Sequence, residues 1–390
     1  MTVPALGSVY GGPSKSVIEL AQSLGAAGID VDLVTTNANG DKTVDVPIGQ
    51  WIEKGNYRIQ YFSYLGFGDY KFSLDISRWL LKNIQAYDLV QTNAIFSLPN
   101  LPAYLGCRWH NVPYVIIPRG MLEPWALSYK AWKKRIYYRL FEQPALQRAS
   151  AIQMLASSEA DQIQVLDLKS PLIISPNGIH REDFEVLPQP DVFYQRFPET
   201  EHKKLILFLG RIDPKKGLDF LAQAFGNAKR QFSDAHLVVA GPDNVGFLPT
   251  AKQYFSDHHC LDSVTFTGML TGELKYAALA ASNYYIAPSY SEGFSMSVLE
   301  GMAAGLPCIL TTGCNFPEAA KANVANVADV DAKSVTAALL SCMNDPQASA
   351  AMGARAREFI FDNYTWNSIA GDLFTVYQSI LNQQPFPQYA

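Results

Sequence analysis

Short apolar runs alternate with longer amphipathic stretches along this chain. In the first half, the runs that predict strands are VDLVTT (31–36), YRIQYF (57–62), DLVQTN (88–93), PYVIIP (113–118), AIQML (151–155) and PLIISPN (171–177). Helical patterns lie between several of them, as in SKSVIELAQSLGAAG, where Val17, Leu20, Ala21 and Leu24 recur at helical spacing. Near-continuous apolar strands separated by helices predict parallel sheets that are covered on both faces.

A second set of strands runs from KLILFLG (204–210) through HLVVAG, SVTFTG and NYYIAPS to PCILTT (307–312). Between the two sets, the 178–203 segment carries prolines and charges without a sustained period, which indicates a linker. We therefore predict an α/β protein of two doubly wound domains, over 1–180 and 190–365. Because ligands of such sheets bind beyond the carboxyl ends of the strands, the cleft between the domains is the expected site.

The composition is that of an ordinary globular protein, with 48% hydrophobic and 17% charged residues among 390. A formal charge of -5 gives no general argument for a nucleic acid partner, since a polyanion usually needs a basic surface. Five cysteines without CxxC spacing indicate buried thiols rather than a zinc or disulfide framework. With no export signal and no apolar run of the ~20 residues that a spanning helix needs, we expect a cytoplasmic protein.

The stretch RIDPKKG (211–217) directly follows the strand KLILFLG. Asp213 and then Pro214 are typical of a helix start, because the side chain caps free amides and the proline lacks only an N–H that would be unused there. Arg211 and Lys216 then lie where the positive end of the helix attracts an anion, which favours a phosphate site. The alternative is two solvated basic side chains beside an ordinary cap.

The stretch SEGFSMSVLEGMAAGLP (291–307) follows the strand NYYIAPS. Gly293 allows a tight turn, and we expect a helix to begin near Ser295 or Met296. Glu292 then precedes the helix and Glu300 lies one to two turns inside it. Two carboxylates spaced in this way suit two polyhydroxy groups better than a close acid/base pair. For Glu300 alone, an exposed helix glutamate is the alternative.

Four motifs together, GRIDPKKG, FTGML, APSYSEGFSMSVLEGMAAGLP and PNGIH, resemble the signature of the retaining glycosyltransferases of family 4, of the bacterial polysaccharide-biosynthesis type. The two glutamates match that family's E-x7-E pair, and the resemblance covers the chain from about Tyr10 to Trp366. It implies the GT-B fold, in which two Rossmann-like domains face an interdomain cleft. The first would bind the acceptor, the second the nucleotide-sugar donor, and a tail helix over 366–390 would return to the first domain.

The resemblance also implies roles for individual residues. Arg211 and Lys216 would hold the donor's diphosphate and, with Glu292 on the sugar hydroxyls, form the catalytic set. Glu300 would accept hydrogen bonds from the ribose, the 267–270 segment would contact the base, and the glycine loop of the first domain would close over the phosphates. The donor-binding residues implied are Gly11, Gly12, Arg211, Lys216, Gly268, Met269, Leu270, Glu292, Gly293, Phe294, Ser295 and Glu300.

The implied reaction moves a hexose with retention from a nucleotide-diphosphate sugar to a glycan or lipid-linked glycan, in cell-surface or exopolysaccharide assembly. UDP-glucose is the first expectation for the donor, and GDP-mannose and UDP-galactose stay open. No metal or other cofactor is expected, because basic side chains stand in this family where a metal would otherwise serve. We assign no Asp-x-Asp pair of the sequence as a metal site.

The first half departs from the family pattern in two places. Only MTVPALGSV, with Pro4 inside it, precedes Tyr10, where the family usually opens with a full strand. Many relatives carry a histidine near the sugar, whereas VQTNAIFS and IPRGMLEP offer Asn93 and Arg119 here. We assign these two residues to the acceptor side. A structural salt bridge is the alternative for Arg119.

The 129–146 stretch, YKAWKKRIYYRLFEQPAL, interleaves basic and aromatic residues. Such a pattern is typical of a helix that rests on anionic lipid, and it predicts reversible contact with the cytoplasmic face of the inner membrane. Core packing by the aromatic rings with a solvated basic face is the alternative.

Three other functions are weighed against a transferase. A hydrolysing nucleotide-sugar epimerase of similar architecture needs acid/base groups near the sugar, and the six histidines form no cluster by spacing. A dinucleotide-dependent oxidoreductase needs G-x-G-x-x-G after a strand, and none is present. A non-catalytic nucleotide- or glycan-binding subunit would not need the intact set of charged motif residues.

Overall fold

The computed structural model describes residues 1–67, 70–122 and 135–387. The chain divides into two compact units, one formed by Met1–Gly178 with Trp366–Ala390 and the other by Ile179–Thr365. Each unit contains one large sheet with helices, so the predicted α/β class is confirmed.

The large sheet of the first unit has eight strands within the described ranges, in the order Leu172–Ile174, Ala151–Met154, Tyr114–Ile117, Val90–Asn93, Thr2–Ala5, Val31–Thr36, Tyr57–Phe62 and Trp51–Glu53. All neighbours are parallel except the last two. The strands of this unit, with two short antiparallel pairs, are Thr2–Ala5 (β1), Val31–Thr36 (β2), Ala38–Asn39 (β3), Lys42–Thr43 (β4), Trp51–Glu53 (β5), Tyr57–Phe62 (β6), Leu65–Phe67 (β7), Tyr70–Phe72 (β8), Val90–Asn93 (β9), Tyr114–Ile117 (β10), Ala151–Met154 (β11) and Leu172–Ile174 (β12).

The described helices of the first unit include the terminal one, Trp366–Leu381, which is an amphipathic segment with a buried face. Trp366 is 1% exposed and its indole N–H donates to Glu19, while the hydroxyl of Tyr377 donates to Gln91. Both partners belong to the same unit, so the tail is an integral part of it. The other helices are Gly12–Ala26, Leu74–Asn83, Leu101–His110, Gln143–Leu146 and Ser157–Gln162, with a π-helical turn at Tyr138–Glu142.

The described strands of the second unit are Lys204–Leu209 (β13), Ala235–Ala240 (β14), Val264–Gly268 (β15), Tyr284–Ala287 (β16), Cys308–Thr311 (β17) and Asn326–Ala328 (β18). They form one parallel sheet in the order β15-β14-β13-β16-β17-β18. The helices are Glu182–Glu185, Asp191–Arg196, Leu218–Gln231, Leu248–Asp257, Gly272–Ala281, Met296–Ala303, Pro317–Lys321, Ala332–Asn344 and Pro346–Asn363.

Strand β13 shows why its sequence is apolar without alternation. Leu205 and Leu207 pack into one hydrophobic cluster, whereas Ile206 and Phe208 pack into another. Successive side chains point to opposite faces of a strand, so both faces of this sheet are covered by helices.

The 178–203 segment is not a free linker. It contains two short helices, and Phe184 and Phe193 are buried in one of the two clusters of the second unit. Their aromatic surface is what holds a stretch without helical or strand periodicity against the sheet. The linker interpretation was therefore wrong for most of this segment.

Candidate active site

The loop after β13 is shaped by Asp213, whose carboxylate accepts a hydrogen bond from the amide of Lys215 at 3.1 Å. This cap begins a 3-10 turn, Pro214–Lys216, and the α-helix begins only at Leu218. The helix start predicted at Asp213 and Pro214 was therefore early by about one turn. Gly217 separates the two elements with φ +67°, and a Cβ there would stand 1.9 Å from the carbonyl oxygen of Pro288.

The loops after β13 and β16 are fastened to each other. The amide of Tyr290 donates to the carbonyl of Lys215 at 2.8 Å, and the hydroxyl of Tyr290 donates to Asp219 at 2.6 Å. Strands β13 and β16 are parallel neighbours, so both loops leave the sheet at the same edge. This edge is where the charged motif residues of the second unit gather.

Lys216 and Glu292 form an ion pair at this edge, and each residue is 9% exposed. The ammonium group donates to Glu292 Oε1, and the hydroxyl of Ser289 donates to the same oxygen at 2.7 Å. The backbone of Glu292 is also held, since its amide donates to Gly313 and its carbonyl accepts from Asn315. Burial opposes ionisation of the carboxyl, but the Lys216 charge and these hydrogen bonds hold the pKa of Glu292 below its usual value.

Arg211 does not join this pair. Its side chain is 40% exposed, and its ion pair is a long one, 3.9 Å from Nη1 to Asp213 Oδ2. The guanidinium is thus close to the loop but available to solvent and to a ligand. Burial lowers the pKa of Lys215, and the neighbouring charges of Lys216 and Arg211 lower it further.

The helix Met296–Ala303 begins where the sequence predicts, with Ser295 at the N-cap. No side chain caps it and its first turn holds no acidic residue, so its positive end is not neutralised by its own first turn. The Ser295 hydroxyl lies 3.2 Å from that of Ser297, and Phe294 packs against Phe316 at 5.3 Å between ring centroids. Gly293 precedes these residues in the same turn.

Glu300 is 7% exposed, which excludes the exposed-glutamate alternative. Lys275, on the helix Gly272–Ala281, donates from Nζ to Glu300 Oε1 at 2.8 Å. Each motif glutamate of the second unit is therefore held by a lysine. Sequence reasoning missed Lys275, although it lies in the first helix after the FTGML motif.

The remaining residues that the sequence assigned to donor binding differ from one another in exposure and backbone conformation. Gly268 is exposed with φ +71° and Met269 is 54% exposed, whereas the side chain of Leu270 is part of a hydrophobic cluster. In the first unit, Gly11 has φ +66° and Gly12 begins the helix Gly12–Ala26. The short first strand that precedes them is β1, of four residues.

The structure brings Asn93 and Arg119 together at the carboxyl ends of β9 and β10. Arg119 donates from Nε and Nη2 to Asn93 Oδ1 at 3.1 and 2.8 Å, and from Nη1 to the Ser16 hydroxyl at 2.8 Å. Within the described ranges no carboxylate forms a salt bridge with this guanidinium. Ser16 and Glu159, whose carboxylate accepts the amide of Gly120 at 2.8 Å, were not found from the sequence.

Part of the basic aromatic stretch, through residue 134, lies outside the described residues. In its described part, Tyr137 and Tyr138 are half-buried, while Ile136, Leu140 and Phe141 are exposed. Leu140 and Phe141 line a cavity of about 870 Å³ together with Arg108 and Arg148. The surface here is therefore both apolar and basic.

The five cysteines are free and buried, as the sequence predicts. Within the described ranges, no group of three or more histidines, cysteines and acidic residues is arranged to hold a metal ion. No helix in that part of the chain has both the length and the apolarity needed to cross a bilayer.

Two family models match the two halves of the chain. Residues 10–183 match the model "Glycosyltransferase Family 4", and residues 192–359 match "Glycosyl transferases group 1". The chain has the two domains of a GT-B glycosyltransferase. Solved structures of this fold agree: the chain is similar to sucrose-phosphate synthase from Thermosynechococcus elongatus, with a TM-score of 0.78 and 20% identity over 98% of this chain and 99% of the other.

Another similar structure is Anabaena HepE in complex with UDP and glucose, with a TM-score of 0.74 and 15% identity over 97% of this chain and 99% of the other. The lipopolysaccharide glycosyltransferase WaaG also matches, with a TM-score of 0.71 and 18% identity over 96% of this chain and 100% of the other. These likenesses confirm the predicted GT-B fold.

Curated relatives match over shorter stretches. The chain is 27% identical over 208 residues to a GDP-mannose-dependent alpha-(1-6)-phosphatidylinositol monomannoside mannosyltransferase of Mycobacterium tuberculosis (strain CDC 1551 / Oshkosh), covering 51% of this chain and 53% of that protein. It is 26% identical over 221 residues to a phosphatidyl-myo-inositol mannosyltransferase of Mycolicibacterium smegmatis (strain ATCC 700084 / mc(2)155), covering 56% and 54%. The chain spans about half the length of these curated relatives.

Proposed function

We propose that this GT-B glycosyltransferase moves a hexose from a nucleotide-diphosphate sugar to a glycan or lipid-linked glycan acceptor, with retention and without a metal ion. The observation that carries the proposal is the buried pair of Lys216 and Glu292 at the carboxyl edge of a parallel sheet. Beside it lie a helix without a side-chain cap and a second buried glutamate, Glu300. Such an arrangement offers cations to a diphosphate and carboxylates to sugar hydroxyls.

In this mechanism each charged residue has a separate task. Lys216 and the more exposed Arg211 stabilise the negative charge that develops on the departing diphosphate, together with the positive end of the helix Met296–Ala303. Glu292 accepts hydrogen bonds from hydroxyls of the transferred sugar and Glu300 from the ribose. The leaving phosphate takes the acceptor's proton, so Glu292 needs no role as a nucleophile.

For the donor, UDP-glucose is the first candidate and GDP-mannose the second. The name of the similar Anabaena structure includes UDP and glucose, whereas the curated relative of Mycobacterium tuberculosis is named for its dependence on GDP-mannose. The exposed Gly268 and Met269 could contact a base through the backbone, which does not select a base by side-chain chemistry. The acceptor belongs to a cell-surface or exopolysaccharide in this proposal.

The test is a panel of UDP- and GDP-sugars offered to the purified chain with EDTA present. Release of nucleoside diphosphate and calorimetric binding are measured together. Selective binding with slow hydrolysis of one donor supports a transferase and names its sugar. Binding of nucleotides without sugar preference or turnover favours the non-catalytic binding subunit, and free epimerised sugar favours the hydrolysing epimerase.

We also propose that the chain acts at the cytoplasmic face of a membrane, which it contacts reversibly. The exposed Ile136, Leu140 and Phe141 next to basic residues support this, because such a surface can enter the headgroup region of anionic lipid. Co-sedimentation with anionic liposomes at low salt is expected, and it should weaken as salt is raised. A Leu140→Glu, Phe141→Glu variant that sediments like the native chain would contradict this role of the surface.

A further inference from the structure

Arg119 stands at the carboxyl edge of the first unit's sheet in a backbone conformation that few side chains adopt. Its φ is +55° and that of the next residue, Gly120, is +75°. The amide of Gly120 donates to Glu159, whose other carboxylate oxygen accepts the amide of Leu155 at 2.7 Å. A left-handed arginine costs free energy, so this backbone is maintained by the surrounding structure.

The guanidinium is aimed by two neutral partners. Asn93 is fully buried, and its amide nitrogen donates to the carbonyl of Thr2, which leaves its oxygen facing Arg119. The Ser16 hydroxyl, on the helix Gly12–Ala26, takes one N–H from Nη1. Because Asn93 has no exposed surface, it positions Arg119 rather than contacting a ligand itself.

The hydrogen bonds of Arg119 leave donors to spare. A guanidinium has five N–H groups, and Asn93 and Ser16 take three of them. Among the residues that the structure describes, none accepts the remaining N–H on each terminal nitrogen, and together these two groups can donate to two oxygens of one oxyanion. The residue as a whole is partly exposed to solvent, so such a ligand can approach it.

The charge is also incompletely compensated. Burial lowers the pKa of Arg119 to about 10, and the Glu159 charge opposes this shift only in part. Both oxygens of Glu159 are engaged by backbone amides instead of by the guanidinium. A partly buried cation with neutral partners and free donors is suited to an anionic ligand.

We propose that Arg119 anchors an oxyanion subsite in the first unit, which takes a phosphate or carboxylate group through the two remaining N–H groups. This group belongs either to an anionic acceptor or to the departing diphosphate of the donor. The assignment to either of these ligands rests on the proposed function. Asn93 and Ser16 are its positioning residues.

The direct test uses inorganic phosphate as the probe and the full chain with Arg211→Ala and Lys216→Ala, so that the donor side is silenced. Phosphate affinity is measured by calorimetry with and without Arg119→Gln. A loss of about tenfold or more is expected, the scale for one charge-assisted forked contact. Arg78→Gln, which removes an exposed charge from the same unit, is the matched control and should change the affinity less than about twofold.

A second measurement needs no variant at Arg119. Phenylglyoxal modifies accessible arginines, and mass spectrometry follows the modification of Arg119 in the same background with and without phosphate. Severalfold protection by phosphate is expected. An unchanged rate of modification, or an unchanged affinity in a folded Arg119→Gln protein, overturns the subsite.

Kinetics with the donor and acceptor distinguish the two sources. A rise in acceptor KM with normal donor hydrolysis assigns the oxyanion to the acceptor, and a fall in the hydrolysis rate without acceptor assigns it to the departing diphosphate. Loss of phosphate binding in Arg119→Gln without turnover of any donor would retain the subsite and reject the proposed function. Turnover of a donor, with phosphate binding unchanged in Arg119→Gln, would retain the proposed function and reject the subsite.

Discussion

Lys216 and Glu292 lie 76 positions apart in the sequence, yet their side chains form a buried ion pair at one edge of the second unit's sheet. Arg211, from the same motif as Lys216, does not join this pair, and its side chain is 40% exposed. Removing one partner of a buried pair leaves an uncompensated charge, whereas a half-exposed arginine is compensated by water. Two residues that share a proposed catalytic task therefore differ in what they contribute to stability.

We expect Lys216→Ala and Arg211→Ala each to reduce turnover by a factor of about 10² or more, because each removes a charge at a developing oxyanion. Lys216→Ala should also lower the free energy of unfolding by about 3–5 kcal/mol. Arg211→Ala should lower it by less than about 1 kcal/mol. Steady-state kinetics and urea unfolding measure the two effects separately. Near-normal rates in both variants would contradict the phosphate assignment.

The lowered pKa of Glu292 predicts an acid-sensitive contribution to stability. A carboxyl whose pKa is lowered on folding stabilises the protein above its unfolded pKa of about 4.5, and this contribution is lost as the pH falls through the lowered pKa. Between pH 5 and pH 3, the unfolding free energy of Glu292→Gln should therefore fall less steeply than that of the native chain. Glu273→Gln, at an exposed position, serves as the control and should keep the native slope. Parallel acid slopes for the native chain and Glu292→Gln would argue against a charged, paired Glu292.

The sequence predicted most strands of the two large sheets because their apolar runs pack into hydrophobic clusters on both faces, as the alternating residues of β13 show. The edge strand Trp51–Glu53 was missed, since it is three residues long and only partly buried. The 178–203 segment was misinterpreted because Phe184 and Phe193 contribute burial without periodicity.

Features of the site were predicted correctly where they depend on the residues of a single motif. The start of the helix Met296–Ala303 follows from a glycine turn and small polar residues next to it. The lysine partners of the two glutamates come from other elements, Lys216 from the 3-10 turn Pro214–Lys216 and Lys275 from the helix Gly272–Ala281, so no local pattern indicates the pairing. The proximity of Asn93 and Arg119 could have been predicted from the sequence. Asn93 ends one strand and Arg119 follows the next, and the two strands are parallel neighbours.

Lys275 should affect donor binding through Glu300. Its ammonium group donates to the Glu300 carboxylate at 2.8 Å, and Lys275→Ala removes this hydrogen bond and its charge. We expect donor KM to rise by about three- to tenfold with kcat within twofold, the scale of a hydrogen bond to a charged group when it is weakened rather than lost. Glu300→Ala should raise donor KM further, and the double variant should resemble Glu300→Ala. Additive effects of the two changes would show that Lys275 acts independently of Glu300.

The opposite pH dependence is expected at Glu142, in the π-helical turn of the first unit. The residue is fully buried; Oε1 accepts the amide of Phe96 at 2.7 Å, whereas Oε2 has no partner among the described residues. Burial raises the pKa of Glu142 to about 7, so the folded chain binds a proton that the unfolded chain releases near pH 4.5. Stability should then decrease as the pH rises from about 4.5 to about 7, by about 3 kcal/mol.

Glu142→Gln keeps an oxygen for the Phe96 amide and removes the titration. Its unfolding free energy, measured in urea at pH 5 and pH 8, should therefore change less with pH than that of the native chain, with the difference appearing as a relative gain at pH 8. Glu53→Gln, at an exposed position of the same unit, should follow the native chain. If Glu142→Gln instead loses stability equally at both pH values, the carboxyl is ionised throughout this range, and burial without a partner does not decide its protonation.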